Sequence, residues 1–216
     1  VHEVDGIERI RLGSLEPRII TEEFAEALAN LPKVCAHFHL SLQSGCDATL
    51  KRMNRRYDAA EYEEKCHVLR KYFKNPALTT DVIVGFAGET EEDFQESKNF
   101  VDRIDFYETH IFKYSKREGT RAASMPEQVD EQEKTRRSNI MLEMNAEKMK
   151  KYEQLWIGQD VDVLFEEITE KDGARYAVGH TKEYLRIMNP CGDDSEEQWI
   201  NQIKTITLKN NSQIMH

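Results

Sequence analysis

Polar, glycine-rich segments follow four successive apolar runs in the first half of the chain. They cover residues 13–17, 41–45 with 53–56, 85–90 and 113–120. If the runs are parallel strands joined by helices, these segments lie at the carboxyl ends of the strands, where such folds bind ligands. Each segment alone is more simply a turn, a cap or a loop. Their recurrence, with Arg55 and helix N-termini nearby, predicts a site for an anionic or zwitterionic ligand.

The four cysteines form no recognisable metal motif. Cys35, Cys46, Cys66 and Cys191 are separated by 11, 20 and 125 residues, which matches no zinc or iron–sulfur spacing. We therefore expect reduced thiols in a cytoplasmic protein, and no metal ligand in this chain.

The composition restricts the partners. Charged residues make up 32% of the 216 residues and the net charge is −10. No apolar run approaches the roughly 20 residues of a membrane span, so we expect no membrane partner. The acidic balance argues against broad nucleic-acid binding but leaves room for a local basic face. The start at Val1 lacks an initiator Met and a signal-peptide pattern, so we expect a segment of a longer protein.

Short apolar runs alternate with helical patterns over the first half. The runs cover 7–13, 36–42, 78–85 and 109–114. Thr21 is positioned to cap one helix, and Asp58 with Glu61 and Thr90 with Asp93 have capping-box spacing. Strands that alternate with helices predict βα units and a parallel sheet.

A long helical pattern and then several short strands make up the second half. The pattern covers 128–156, and its apolar stripe is expected to pack in a core. The stripe consists of Met141, Met144, Met149, Tyr152 and Trp156. Short runs at 161–165, 176–178, 184–187 and 200–208 predict a small antiparallel β-barrel. The predicted fold class is α/β, with a partial parallel barrel over 1–125, a connecting helix over 126–154 and a small β-barrel over 155–216.

Several motifs resemble those of radical S-adenosylmethionine (SAM) tRNA methylthiotransferases. They are His-Leu-Ser-Leu-Gln-Ser-Gly at 39–45, Met-Asn-Arg at 53–55, and the segments 80–90 and 112–120. Arg-Leu-Gly-Ser-Leu-Glu-Pro at 11–17 resembles the branch that acts on threonylcarbamoyl-adenosine. The resemblance covers nearly the whole chain. Ala87 departs from it, because the family usually has proline there.

The resemblance implies a three-part enzyme. Family members have an N-terminal domain with an auxiliary four-iron, four-sulfur cluster and a partial barrel with a second cluster on a C-x-x-x-C-x-x-C loop. A C-terminal TRAM domain, a small β-barrel, binds RNA. Residues 1–125 would correspond to barrel strands three to six and residues 155–216 to the TRAM domain. This chain is then expected to ligate neither cluster, to contain no catalytic residue and to be inactive alone.

The reaction implied by the resemblance adds a methylthio group to adenine C2 in tRNA. The barrel cluster would reduce SAM, and the resulting 5′-deoxyadenosyl radical would remove the C2 hydrogen. Sulfur would be delivered at the auxiliary cluster, and a second SAM would supply the methyl group. The implied cofactors are SAM and two clusters, and the implied partner is tRNA rather than DNA.

Six residues are candidates for SAM contacts by this resemblance. Ser41 and Gln43 would make polar contacts, and Arg55 would pair with the SAM carboxylate. The adenine would be flanked by apolar surface or backbone groups of Ile83, Val84 and Phe112.

Other candidates concern the RNA. Ser14 and Glu16 would recognise the substrate, although Glu16 equally suits a cap before Pro17. Phosphate contacts are expected from basic residues of the small barrel, which could equally form a solvated face. They are Lys182, Arg186, Lys204 and Lys209.

Two alternatives stay open. The chain could come from a radical SAM enzyme that does not methylthiolate, or from an RNA-binding module whose barrel has no SAM chemistry. The sequence does not fix the modified adenosine, the tRNA or the oligomeric state.

Overall fold

Three of the four apolar runs form a parallel sheet in the computed structural model, which describes residues 1–216. The strands are β1 (His37–His39), β2 (Ala77–Val84) and β3 (Glu108–Lys113). β2 is central and pairs in parallel with both neighbours. The predicted parallel sheet of βα units is therefore confirmed.

The predicted strand over 7–13 is wrong. This run forms one isolated bridge, from Ile10 to Val34, and the segment that follows it forms another, from Leu15 to Leu40. Between the bridges the run advances five residues while its partner advances six, so a regular ladder cannot form between them. The run is an irregular edge of the sheet, and its charged side chains are free for other contacts.

Five helices accompany the sheet. They are α1 (Glu22–Ala29), α2 (Asp47–Arg52), α3 (Ala59–Tyr72), α4 (Glu91–Ile104) and α5 (Glu131–Gln154). Thr21 caps α1 through the amide of Phe24, as predicted. The two predicted capping boxes, Asp58 with Glu61 and Thr90 with Asp93, begin α3 and α4. Each box satisfies amides that have no partner inside the helix.

Helix α5 joins the two halves of the chain. Met141 and Met144 pack in the core beneath the parallel sheet, whereas Met149, Tyr152 and Trp156 pack in a second core. The predicted stripe is therefore core packing, shared between two cores. No helix combines the length and the apolar character needed to cross a membrane.

A second, antiparallel sheet follows α5. Its strands are β4 (Asp160–Lys171), β5 (Ala174–His180), β6 (Arg186–Pro190) and β7 (Ile203–Thr207), in the order β6–β5–β4–β7. All three pairings are antiparallel, as predicted. Val163, Phe165 and Leu185 are fully buried in the second core.

The second sheet packs against the amino ends of the parallel strands. Ala77 of β2 and Tyr107 just before β3 belong to the second core. The Arg9 guanidinium donates to the carbonyls of His180 at 2.6 Å and Asp162 at 2.7 Å. These contacts cover the amino ends of the strands and leave their carboxyl ends open to a ligand.

His37 lies at this interface, at the start of β1. It is 5% exposed, and its ring packs against that of Tyr184, which also carries the Arg11 guanidinium on its face. Burial, with the nearby positive charge of Arg11, lowers the pKa of His37 to about 3. The folded protein therefore holds this imidazole neutral.

Because an unfolded histidine titrates near pH 6.5, acid should destabilise the fold through His37. The stability present above about pH 6.5 should be lost as pH falls toward 3, by at most about 1.4 kcal/mol per pH unit for one proton. Urea unfolding at several pH values should show a shallower acid dependence in His37→Gln than in the parent. His67→Gln, an exposed change on α3, is the control. Equal slopes in His37→Gln and the parent would contradict this assignment.

Candidate functional site

A groove of about 700 Å³ opens at the carboxyl ends of the parallel strands. Four of the six residues predicted to contact SAM line it, namely Gln43, Arg55, Ile83 and Phe112. The volume lies within the range of roughly 300–1,000 Å³ that small-molecule sites occupy. The structure thus brings together residues from four separate segments of the chain.

The register of β2 and β3 decides which side chains reach the groove. Asp81 pairs with His110 and Ile83 with Phe112, so these residues share one face of the sheet. Val82 and Val84 point to the other face and are 1% and 2% exposed. The side chain of Val84 therefore packs in the core, and only its backbone remains for the predicted contact with adenine.

Gln43 continues the pairing beyond β1 in an unusual backbone conformation. Its φ is +71°, a left-handed value that is costly for a residue with a side chain. Its amide donates to the Asp81 carbonyl at 2.8 Å, and its carbonyl accepts from the Ile83 amide at 2.9 Å. β2 thus holds Gln43 in place, with its side chain on the groove.

Two tyrosines that the sequence analysis did not assign to the site hold the segment before Gln43. The Tyr57 hydroxyl donates to the carbonyls of Ser41 at 2.7 Å and Leu42 at 2.9 Å. The Tyr62 hydroxyl donates to the Leu40 carbonyl at 2.8 Å. Ser41 therefore contributes its carbonyl to this brace, and its side chain does not line the groove. The polar roles of both tyrosines depend on contacts between distant segments, which sequence spacing does not reveal.

The groove combines an exposed aromatic ring with positive charge. Phe112 is 53% exposed, and Phe86 and Tyr114 also line the wall. Arg55 and Arg117 lie on the rim, and neither has a carboxylate within 4 Å. An aromatic surface beside free guanidinium groups suits a ligand with a planar ring and an anionic group.

The two predicted substrate residues lie on the irregular edge, outside the groove lining. The Glu16 carboxylate accepts from the Arg18 amide and pairs with the Arg18 guanidinium at 2.9 Å. It therefore caps the short 3₁₀ turn that starts at Pro17, the structural role considered for it above. Ser14 is exposed beside it.

Three of the four basic residues chosen for RNA have side-chain partners within the chain. Lys182 donates to the Pro32 carbonyl at 2.7 Å and Arg186 pairs with Glu167 at 2.6 Å. Lys204 lies over the Trp199 ring at 3.8 Å. Lys209 is exposed after β7 and forms no ion pair within 4 Å. Of the four, Lys209 is the one whose side chain is exposed and has no partner within the chain.

The cysteines do not converge. All four are buried, and none belongs to a group of three or more potential metal ligands. Burial raises the pKa of Cys46 to about 11 and of Cys66 to about 12, which disfavours the thiolates that bind metals. The residues of this chain therefore do not fit an iron–sulfur cluster.

One group of potential ligands does form, and cysteine spacing could not reveal it. His39, Asp81 and His110 come from the three parallel strands, and their ligand atoms lie within 4.8 Å of one another. Asp81 and His110 each precede a groove-lining residue of the same strand, Ile83 and Phe112, by two positions, and this spacing is the signal that could have indicated them.

A buried ion pair anchors the turn after β2 to α5. Arg137 and Glu89, whose side chains are 5% and 2% exposed, approach to 2.7 Å. Glu89 also accepts from the Gly85 amide at 2.8 Å. Burial raises the pKa of the Glu89 carboxyl, and the bonds from Gly85 and Arg137 oppose that shift. The pair fixes residues 85–89 beside the groove.

Comparison with known families identifies the first half. Residues 2–101 match the family model of the radical SAM superfamily. Two solved structures share the fold. Coproporphyrinogen III oxidase (HemN) from Escherichia coli has a TM-score of 0.55 at 13% identity, covering 84% of this chain and 46% of that one. Elp3 from Methanocaldococcus infernus has a TM-score of 0.51 at 11% identity, covering 96% and 65%.

Curated relatives extend the similarity to the second half. The threonylcarbamoyladenosine tRNA methylthiotransferase MtaB of Bacillus subtilis is 38% identical over 86% of this chain and 41% of its own length. The tRNA-2-methylthio-N(6)-dimethylallyladenosine synthase of Thermoanaerobacter sp. (strain X514) is 43% identical over 80% of this chain and 36% of its own. The chain thus spans about two fifths of the length of these relatives.

Removing Arg137 should destabilise the fold strongly, because Glu89 would keep its burial and lose its cation. We expect Arg137→Met to lower the free energy of unfolding by roughly 3–5 kcal/mol in urea titrations. Arg136→Met is the matched control on the same helix. It should have a far smaller effect, because its pairs with Glu91 and Glu133 lie in solvent. Similar losses in the two variants would show that burial of the pair is not decisive.

Proposed function

We propose that this chain is the C-terminal part of a cytoplasmic radical SAM tRNA methylthiotransferase. The observation that carries the proposal is the groove, where Gln43, Arg55, Ile83 and Phe112 meet at the carboxyl ends of the strands. These are four of the six residues that the family resemblance implies for SAM contacts. The parallel sheet would be the later part of the radical SAM barrel.

SAM would supply the radical and methyl chemistry, and this chain would bind and orient it. Ile83 and Phe112 offer an apolar surface for the adenine. Arg55 is free to pair with the carboxylate. Gln43, fixed by its two backbone bonds to β2, presents an amide to the polar part of the cofactor.

The two iron–sulfur clusters of the family would be held by residues outside this chain. The four buried cysteines do not gather, so we assign no step of the reaction to them. The contribution of residues 1–125 is then the wall opposite the cluster: binding, orientation and exclusion of water.

The substrate that we favour is threonylcarbamoyl-adenosine in tRNA. A threonylcarbamoyl group carries a carboxylate, whereas a dimethylallyl group is apolar. Arg117 on the groove rim is a cation without a carboxylate partner, which favours the anionic substituent. The relative named for threonylcarbamoyladenosine supports this choice, and the more identical relative named for dimethylallyladenosine is the reason to test both.

The antiparallel sheet would be a TRAM-like RNA-binding barrel that contributes phosphate contacts. Lys209 is the best placed of the four candidates, because the other three already have partners within the chain. Asp160 and Asp162 on β4 accept from threonines of β7, so that outer face is acidic and disfavours phosphate. We expect few contacts and weak binding by this domain alone.

The test of the function uses the longer protein that contains this chain, with its clusters reconstituted. Mass spectrometry should detect 2-methylthio product from tRNA carrying threonylcarbamoyl-adenosine and little from tRNA carrying dimethylallyl-adenosine. Arg55→Met should weaken SAM binding by about 10–100-fold, as expected for a hydrogen bond to a charged group. Arg56→Met, next in sequence and outside the groove lining, should retain parental affinity. Equal affinities for SAM in the two variants would remove Arg55 from the site, and absence of methylthio product would reject the function.

The RNA proposal has its own measurement, the salt dependence of tRNA binding by the same longer protein. Lys209→Glu should weaken binding and reduce the slope of log affinity against log salt by about 1, because one phosphate contact is lost. Lys171→Glu, an exposed change at the end of β4, serves as the control for net charge. If Lys209→Glu and Lys171→Glu have the same effect, Lys209 contacts no phosphate.

A further inference from the structure

Three metal-ligating side chains meet on the face of the parallel sheet that forms the groove. His39 comes from β1, Asp81 from β2 and His110 from β3. Asp81 and His110 are direct partners in the β2–β3 register. Their ligand atoms and that of His39 all lie within 4.8 Å of one another. Asp81 and His110 lie two residues before Ile83 and Phe112 along their strands, and Asp81 is the member of the cluster that lines the groove.

The orientation of His39 is fixed by a neighbouring hydroxyl. Its Nδ1 lies 3.0 Å from the Thr79 Oγ1, and Thr79 is 2% exposed. Its Nε2 lies 3.2 Å from Asp81 Oδ2. A proton on Nδ1, donated to Thr79, leaves the Nε2 lone pair directed at the cluster. A second hydrogen-bonded group that sets the tautomer in this way is typical of histidines that bind metals.

The negative charge of Asp81 is not balanced by a lysine or an arginine. Its carboxylate is 28% exposed, and its one ion-pair contact within 4 Å is with His39. No lysine or arginine approaches it within that distance. His110, whose ring stacks on that of His39 with centroids 5.6 Å apart, brings a second imidazole to the same point. The site therefore offers one carboxylate and two imidazoles with no fixed cation among them.

We propose that His39, Asp81 and His110 bind one divalent first-row transition metal ion. Two imidazoles and one carboxylate suit Zn²⁺, Fe²⁺ or Co²⁺, and three protein ligands leave further positions open. Metal–ligand bonds of about 2.0–2.2 Å require ligand atoms at most about 4.4 Å apart. Atoms that lie within 4.8 Å of one another reach this limit with shifts of at most a few tenths of an ångström. Asp81 itself lines the groove, so a ligand there would have access to the ion.

The site is independent of the proposed function. It needs neither SAM nor tRNA, and its ligands differ from the residues assigned to SAM. The prediction that this chain has no metal ligand rested on the cysteine spacing, which does not address histidines on separate strands. The competing explanation is a hydrogen-bonded His39–Asp81 pair beside an imidazole, and such a pair would bind no ion stoichiometrically.

The test is a titration of the metal-free 216-residue chain with Co²⁺, followed by calorimetry and visible absorption. The parent should bind about one equivalent, with d–d bands and without a thiolate charge-transfer band. Asp81→Asn and His110→Gln should each weaken binding at least tenfold, and Thr79→Val should weaken it by roughly 10–100-fold because the hydrogen bond that orients His39 is lost. His67→Gln, an exposed histidine on α3, should bind like the parent.

Circular dichroism of each variant identifies any loss of fold. His110→Gln is the most informative variant, because His110 is the most exposed of the three ligands and its replacement disturbs the fold least. Absence of stoichiometric Co²⁺ binding by the parent overturns the proposal. So does parental affinity in a folded His110→Gln variant, or a spectrum dominated by thiolate, which would indicate binding at cysteine. None of these outcomes bears on methylthiolation, which is measured separately by the nucleoside product.

Discussion

The alternation of side chains along β2 is the constraint on which the site depends. β2 is paired on both sides, so its register cannot shift without breaking two ladders at once. Val82 and Val84 are held in the core, which forces Asp81 and Ile83 onto the groove face. Through the same ladders, β1 and β3 bring His39 and Phe112 to that face. A single set of backbone hydrogen bonds thus positions both the apolar wall of the groove and the cluster beneath it.

The buried ion pair of Arg137 and Glu89 fixes the position of α5 relative to the parallel sheet. The turn at Gly85 needs a positive φ of +72°, and the side chain of Lys134 packs where a β-carbon would lie. Glu89 receives the Gly85 amide on one side and Arg137 on the other. A buried charge pair of this kind contributes little net stability over apolar packing, but removal of one partner is costly. The pair ties α5 to the turn after β2 at Arg137.

Features that depend on residues close together in the sequence were predictable, and features that depend on contacts between distant segments were not. The capping boxes of α3 and α4 depend on residues three positions apart, so sequence spacing was sufficient. Gln43, Arg55, Ile83 and Phe112 were found by resemblance to a family, and their convergence confirms the parallel order of the segments. The strand over 7–13 failed because the mismatch with 34–40 is a property of two segments, invisible in either one. The cluster of His39, Asp81 and His110 was missed for the same reason, since its members are 42 and 29 residues apart in the chain.

The two ends of the parallel sheet have different surroundings. This difference limits the kind of RNA that could contact both the parallel and the antiparallel sheet. The groove opens at the carboxyl ends, whereas the antiparallel sheet covers the amino ends through Arg9 and Lys182. Along α5, Arg137 near the groove and Tyr152 in the second core are fifteen residues apart, which is about 22 Å of helix. A single nucleotide cannot span that distance. If Lys209 contacts phosphate while a base enters the groove, the RNA must run along the side of the sheet. A folded tRNA could do so. A short single strand could do so only at a large entropic cost.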